Sequence, residues 1–237
     1  GVGSGNLINA GDGANTITTG TGDDIIYSGT GIDTITSGGG DNEIYAGDGA
    51  NIISTGAGDD IIYTGTGVDT INAGDGNNVV YAGNGATTIT TGVGDDSIYT
   101  GIDIDTISTG SGNDVIHTKG GTDIIAAGDG NDTLIADLTA ATSAVSINSF
   151  AGTVADGYAG NITGLGVATF AGVENFEISS GIHNDTITTG DGKDVVHAGA
   201  GDDIVSLGGG DDEAIYTMSE NMNVDGSRAD DTYVGGD

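Results

Sequence analysis

Aspartate and asparagine recur along this chain of 237 residues at intervals of nine, almost always among glycines. Residues 11 to 46, GDGANTITTGTGDDIIYSGTGIDTITSGGGDNEIYA, place Asn15, Asp24, Asp33 and Asn42 at that spacing. The next 36 residues repeat this block at 25 of 36 positions. Short carboxylate and carboxamide side chains on glycine turns are hard oxygen donors. The chemistry they offer is coordination of a hard cation. The charge balance agrees, with 36 acidic against 3 basic residues and a formal net charge of -33. Such a chain repels nucleic acid and anionic membranes, and it resists its own compaction unless cations replace the missing Lys and Arg.

Placing these donors needs a regular scaffold. From Gly11 the chain divides into nonamers of the form G-x-G-x-D/N-x-I-x-x, fourteen in succession to Ala136. Their seventh position is an unbroken apolar column: Ile17, Ile26, Ile35, Ile44, Ile53 and so on to Leu134. Each nonamer therefore reads as a glycine turn followed by a short strand whose Ile faces a core. Regular Ile and Val spacing also argues against an acidic disordered tail. The eighth position alternates, with Tyr27, Tyr45, Tyr63, Tyr81 and Tyr99 every eighteen residues, while Thr18, Thr36, Ser54, Asn72, Thr90 and Ser108 occupy the other strand. A β-solenoid with two strands and two turns per coil satisfies both columns. Its coils stack at the strand separation of roughly 4.8 Å.

The frame resembles the RTX, or hemolysin-type, calcium-binding nonapeptide repeat. GSGNDVIHT, GDGNDTLIA and GAGDDIVSL match it best, and the resemblance covers residues 11 to 136 and about 181 to 216. It implies an all-β parallel β-roll of eighteen-residue coils with Ca²⁺ held between stacked turns. Turn carbonyls join the fifth-position side chains there, an oxygen set that suits Ca²⁺ better than Mg²⁺ or Zn²⁺. Carried onto this chain, the ligand positions on one side are Asp24, Asn42, Asp60, Asn78, Asp96, Asp114 and Asp132. On the other they are Asp33, Asn51, Asp69, Asp105 and Asp123, with Asn15 and Thr87 in the same column. Asp185, Asp194, Asp203 and Asp212 follow in the later block. Each ion is expected between fifth positions eighteen residues apart. Only 96/114, 114/132, 105/123, 185/203 and 194/212 pair two aspartates. The mixed pairs admit two readings: weaker calcium sites, or asparagine ladders hydrogen-bonded between coils without metal. Thr87 departs from the family pattern.

The fourth position is acidic or amide on one side (Asp23, Asp41, Asp59, Asn77, Asp95, Asn113) and apolar on the other (Ala14, Ile32, Ala50, Val68, Ala86, Ile104). The apolar edge reads as a packing surface or as turns covering themselves. The period stops over residues 137–180, where acids thin out and all three Phe fall. The expected organisation is a roll over 1–136, strands without calcium turns over 137–180, and a second roll over 181–237 with an irregular end. Ile215 sits one place late, and DDTYVGGD resembles the opening of another repeat. Both ends read as cut within a repetitive context.

No H-E-x-x-H or G-x-S-x-G motif is present, and His117, His183 and His197 occupy repeat positions, so the chain is not expected to be an enzyme. There is no cysteine, and no apolar run long enough to span a membrane. The first expectation is an extracellular, calcium-binding structural protein of a bacterial cell surface (surface-layer, adhesin or filament subunit), folding on Ca²⁺ and able to self-assemble. The second is a calcium-folding secretion or carrier module from an RTX exoenzyme or toxin. An ice-binding role for Thr21, Thr30 and Thr66 is disfavoured because that column breaks too often.

Overall fold

The computed structural model describes residues 3–215 and 231–235. The structure divides into two compact units, residues 1–116 and 117–237, and the described part is all-β.

In the first unit the nonamers alternate between two parallel sheets. One holds β1 (Leu7–Asn9), β3 (Ile25–Tyr27), β5 (Glu43–Gly47), β7 (Ile61–Thr64), β9 (Val79–Tyr81) and β11 (Ser97–Tyr99). The other holds β2 (Thr16–Thr18), β4 (Thr34–Gly38), β6 (Ile52–Thr55), β8 (Thr70–Gly74), β10 (Thr88–Thr91) and β12 (Thr106–Ser108). Strands of three to five residues suffice because each contributes one large core side chain, joined in β5 and β8 by a buried alanine. Ile26 pairs with Ile44, Ile44 with Ile62, Ile62 with Val80 and Val80 with Ile98, all fully buried. Ile35, Ile53, Ile71 and Ile89 form the matching column of the second sheet. Each such burial contributes roughly 1.5–3 kcal/mol. The core is thus a two-sided stack of β-branched side chains, with no large aromatic needed.

The eighth-position tyrosines stack as their spacing predicts. Rings of Tyr27, Tyr45, Tyr63, Tyr81 and Tyr99 lie 4.7–4.9 Å apart and within 14° of parallel. The Tyr45 hydroxyl donates to Glu43, which pushes its pKa up to about 12.

β13 (Val115–Thr118) contains the division between the units. The second unit continues with β14 (Ile124–Ala126) and β15 (Thr133–Asp137), then β16 (Ser146–Thr153), β17 (Gly157–Thr163), β18 (Val167–Val173) and β19 (Asn175–Ser179). Nonamers return with β20 (Thr186–Thr188), β21 (Val195–His197), β22 (Ile204–Gly208) and β23 (Glu213–Ile215), and β24 (Thr232–Gly235) closes the described chain. Residues 137–180 do supply strands, but three of them are not solenoid rungs. β16, β17 and β18 form an antiparallel meander inserted between β14 and β20. β19 alone joins the opposite sheet, between β15 and β21. Phe170 and Phe176, both buried, meet edge to face 5.2 Å apart and fill the wider core there. Ile215 does stand one place late: Ala214 pairs with Val196 in the core column, and Ile215 pairs with His197 in the eighth-position column.

Glycine is required most strictly where turns stack. Gly49 has φ +130°, and a methyl added there would collide with the Gly31 carbonyl of the previous coil. Gly39 has only ordinary contacts around its missing side chain. Gly49→Ala is therefore expected to destabilise the fold by more than about 1 kcal/mol, with Gly39→Ala near neutral. Thermal melts in calcium check this.

Candidate metal centres

One hydrogen bond recurs at nearly every turn. The backbone N–H of a fifth-position residue donates to the side-chain Oδ1 of the fifth-position residue in the next coil. On one edge Asn6, Asp24, Asn42, Asp60, Asn78 and Asp96 donate in this way to Asp24, Asn42, Asp60, Asn78, Asp96 and Asp114, at 2.7–3.1 Å. On the other edge Asn15, Asp33 and Asn51 donate to Asp33, Asn51 and Asp69, and Thr87 donates to Asp105, at 2.8–3.0 Å. In the second unit Asp185 donates to Asp203 and Asp194 to Asp212, at 2.7 and 3.0 Å. The expected pairs within each unit are therefore in direct contact. Asp114 and Asp132, like Asp105 and Asp123, lie in different units, and each is buried in its own.

The bond satisfies one carboxylate oxygen and leaves the other. Oδ2 of Asp24, Asp33, Asp60, Asp69, Asp96, Asp185, Asp194 and Asp203 is buried without a hydrogen-bond partner, in residues at most 1% exposed. Several hydroxyls near these carboxylates are engaged by backbone carbonyls. Thr19, Thr91 and Thr189 donate theirs to the carbonyls of Ser37, Thr109 and Leu207, at 2.6–3.1 Å. Burial raises the pKa of six of these carboxyl groups: Asp96 and Asp194 reach about 6 and Asp203 about 7, and Asp60, Asp69 and Asp185 move the same way. Asp24 moves down instead, because against burial it is held by Thr19 and Asn6. The first unit contains no Lys or Arg to offset them.

Exposed carboxylates of the same turns behave differently. Asp12 accepts from the backbone N–H and hydroxyl of Thr30, and Asp48 from those of Thr66, which holds both carboxyls below the usual range. The fourth-position column also forms a ladder, of opposite sense: Asp41 donates its N–H back to Asp23, Asp59 to Asp41 and Asn77 to Asp59. The opposite fourth-position row does not cover itself, since Ile32, Val68 and Ile104 are 56–65% exposed.

Buried, orphaned carboxylate oxygens on glycine turns fit a bound cation. Among the described residues no three His, Cys, Asp or Glu side chains converge, so backbone carbonyls must complete any coordination shell. One carboxylate among several carbonyls is an oxygen set that Ca²⁺ accepts readily.

Three features escaped the sequence reading. Glu174, 2% exposed, accepts the N–H of Asp132 at 2.6 Å and so takes the place of an aspartate where the meander interrupts the repeat. Asp194 then accepts from Phe176, two residues further on, which records a shift of frame. Asp231 accepts from Asp203 at 3.1 Å across 28 residues instead of 18; it lies in the DDTYVGGD stretch that resembles the opening of another repeat, but it is not among the expected ligands. Last, the ninth position forms a hydroxyl ladder: besides the threonines above, Ser28 donates to Ala46 and Ser180 to Ala198.

The family model of the RTX calcium-binding nonapeptide repeat (4 copies) matches residues 1–35, 28–62, 36–71, 55–89, 63–98, 99–134 and 179–214. No curated protein and no solved structure matches the chain.

Thr91→Val keeps the shape of the ninth-position column and deletes its hydroxyl. Thr91→Val is expected to cost about 1 kcal/mol, read from denaturant melts in saturating calcium, with the number of bound ions unchanged.

Proposed function

From the premise that this chain belongs to the RTX calcium-binding nonapeptide-repeat family, we propose a non-enzymatic, extracellular structural protein of a bacterial surface that folds when its turns take Ca²⁺. The observation that carries the reading is the set of buried Oδ2 atoms without partners in a unit that has no basic side chain. A buried carboxylate without a counter-charge costs several kcal/mol, and a stack of them exceeds the net stability of an ordinary domain, roughly 5–15 kcal/mol. Calcium on those turns removes the penalty and holds neighbouring coils together. Asp24, Asp33, Asp60, Asp69, Asp96, Asp185, Asp194 and Asp203 would supply the carboxylates, and the first and third glycines of the turns the carbonyls. Extracellular calcium, in the millimolar range, suits such modest sites.

Between the structural protein and a carrier module, the exposed row of Ile32, Val68 and Ile104 favours the first. Large apolar side chains lined up along one edge, with alanines between them, suit contact with a second copy.

Circular dichroism during a calcium titration tests the folding claim. The expected outcome is a disordered spectrum in excess chelator and β structure in millimolar calcium, and unchanged β content in chelator would overturn it. Sizing in calcium tests the assembly: a species that grows with concentration is expected, and a strict monomer at high concentration favours the carrier module.

A further inference from the structure

The asparagines of the fifth position do not sit as weakened aspartates. In Asn42, Asn51 and Asn78, Oδ1 accepts the N–H of the coil before and the amide nitrogen is turned toward carbonyls of its own turn; Asn15, in the first coil of its column, turns its amide nitrogen the same way. Asn15 Nδ2 donates to Gly11 O at 2.8 Å, Gly13 O at 3.0 Å, Ser28 O at 3.0 Å and Asp33 Oδ1 at 3.1 Å. Four oxygens, from two successive coils, surround one nitrogen. Asn42 Nδ2 donates to Gly40 O and Asp60 Oδ1, both at 2.8 Å. Asn51 and Asn78 donate to the first and third glycines of their own turns, at 2.9–3.3 Å. Thr87, in the same column, donates its hydroxyl to Gly85 O at 3.2 Å.

In the aspartates Oδ1 makes the same bond to the same N–H, so the planar carboxylate puts Oδ2 where asparagine has Nδ2. There it meets the same carbonyls as one more acceptor among acceptors. A bound cation reconciles that cluster while the carboxyl stays ionised, and Oδ2 of Asp24, Asp33, Asp60, Asp69 and Asp96 is buried with no hydrogen-bond partner. Whether a turn needs an ion is thus decided by the earlier residue of each stacked pair, so Asn15–Asp33 and Asp33–Asn51 are different sites.

The order of these residues gives the pattern. Asn6 and Asn15 share a coil, Asp24 and Asp33 the next, Asn42 and Asn51 the third, Asp60 and Asp69 the fourth, and Asn78 and Thr87 the fifth. We propose that the coils from Asn6 to Asp105 alternate between those that take Ca²⁺ and those in which asparagine amides, or the Thr87 hydroxyl, occupy the place of the ion. This rests on the calcium reading above. Ions would then be layered every second coil, about 10 Å apart at the usual strand spacing.

The test counts ions by equilibrium dialysis and follows folding by circular dichroism, on the full chain. Asn42→Asp converts an amide-filled turn into an empty seat. It should bind one ion more than the parent and require more calcium to fold. Asp60→Asn makes the reverse change. It should bind one ion fewer and fold at a lower calcium concentration. Asn51→Ala removes the amide without adding a carboxylate and should leave the ion count unchanged. A parent that binds no calcium defeats the family-based reading itself. A parent that binds calcium but loses an ion in Asn51→Ala, or gains none in Asn42→Asp, overturns the alternation alone. If Asn42→Asp does not fold at any calcium concentration, Asp60→Asn decides: an unchanged ion count or a higher calcium requirement refutes the proposal.

Discussion

Each coil is tied to the next by a backbone N–H that ends on a side chain. The peptide at the fifth position of a nonamer gives its proton to Oδ1 of the residue eighteen later. That rung aligns the turns, as the strand ladder aligns the strands. It also fixes the rotation of the acceptor's planar head, and with it the position of the second terminal atom. Everything distinctive about the turns follows from what that second atom is. A nitrogen closes the turn on itself, whereas an oxygen adds one more acceptor to the cluster and brings no donor. A charge-assisted hydrogen bond contributes roughly 1.5–3 kcal/mol, less than the several kcal/mol lost by burying an uncompensated carboxylate. The aspartate rungs therefore cannot sustain the stack alone, and the asparagine rungs can.

The contrast with the exposed acids supports that weighing. Asp12 and Asp48 accept two donors each from a threonine, which outweigh the smaller effect of desolvation and lower their pKa. Asp96 and Asp203 accept a backbone N–H as well, yet burial drives them up to about 6 and about 7. The same residue type on these turns meets two environments three positions apart in the nonamer. The inner position is the one that calls for a metal.

Much of this was legible in the sequence because a solenoid turns spacing into contact. The Ile column, the tyrosine stack and the pairing of fifth positions eighteen residues apart all follow from one period. The direction of each pair was not legible. A sequence shows Asp24 and Asn42 as partners but does not say whose terminal group faces the shared carbonyls, because that depends on which N–H holds Oδ1. Thr87 reads as a defect in the motif, yet it is a donor like the asparagines. Residues 137–180 read as strands by their alternation, but strand direction is set by turns, and the two tight turns that fold β16, β17 and β18 into a meander carry no nonamer signal. Glu174 and Asp231 keep the rung after the period has slipped. Their function comes from register, and a slipped register hides it.

The core and the turns follow different periods, and the difference has an electrostatic reason. Ile and Tyr recur every eighteen residues, whereas Asp and Asn alternate over thirty-six. At the usual strand spacing, aspartates in every coil would face each other across roughly 4.8 Å. At an effective dielectric constant of 20 that repulsion is roughly 3.5 kcal/mol, and it halves when every second coil is neutral. The second unit shows the denser arrangement. Asp203 has Asp185 on one side and Asp231 on the other, and both raise its pKa further after burial has done so. Asp194 and Asp96, each with an aspartate in the next coil, also rise to about 6. For Asp60, which has asparagine on both sides, the chief like-charge neighbour is the exposed Asp41, after burial. A long first unit without a single basic side chain can accumulate coils only if this repulsion does not grow with each one. In the proposed alternation, interleaved asparagine achieves that by substituting a neutral donor for every second cation, while the apolar column beneath continues unchanged.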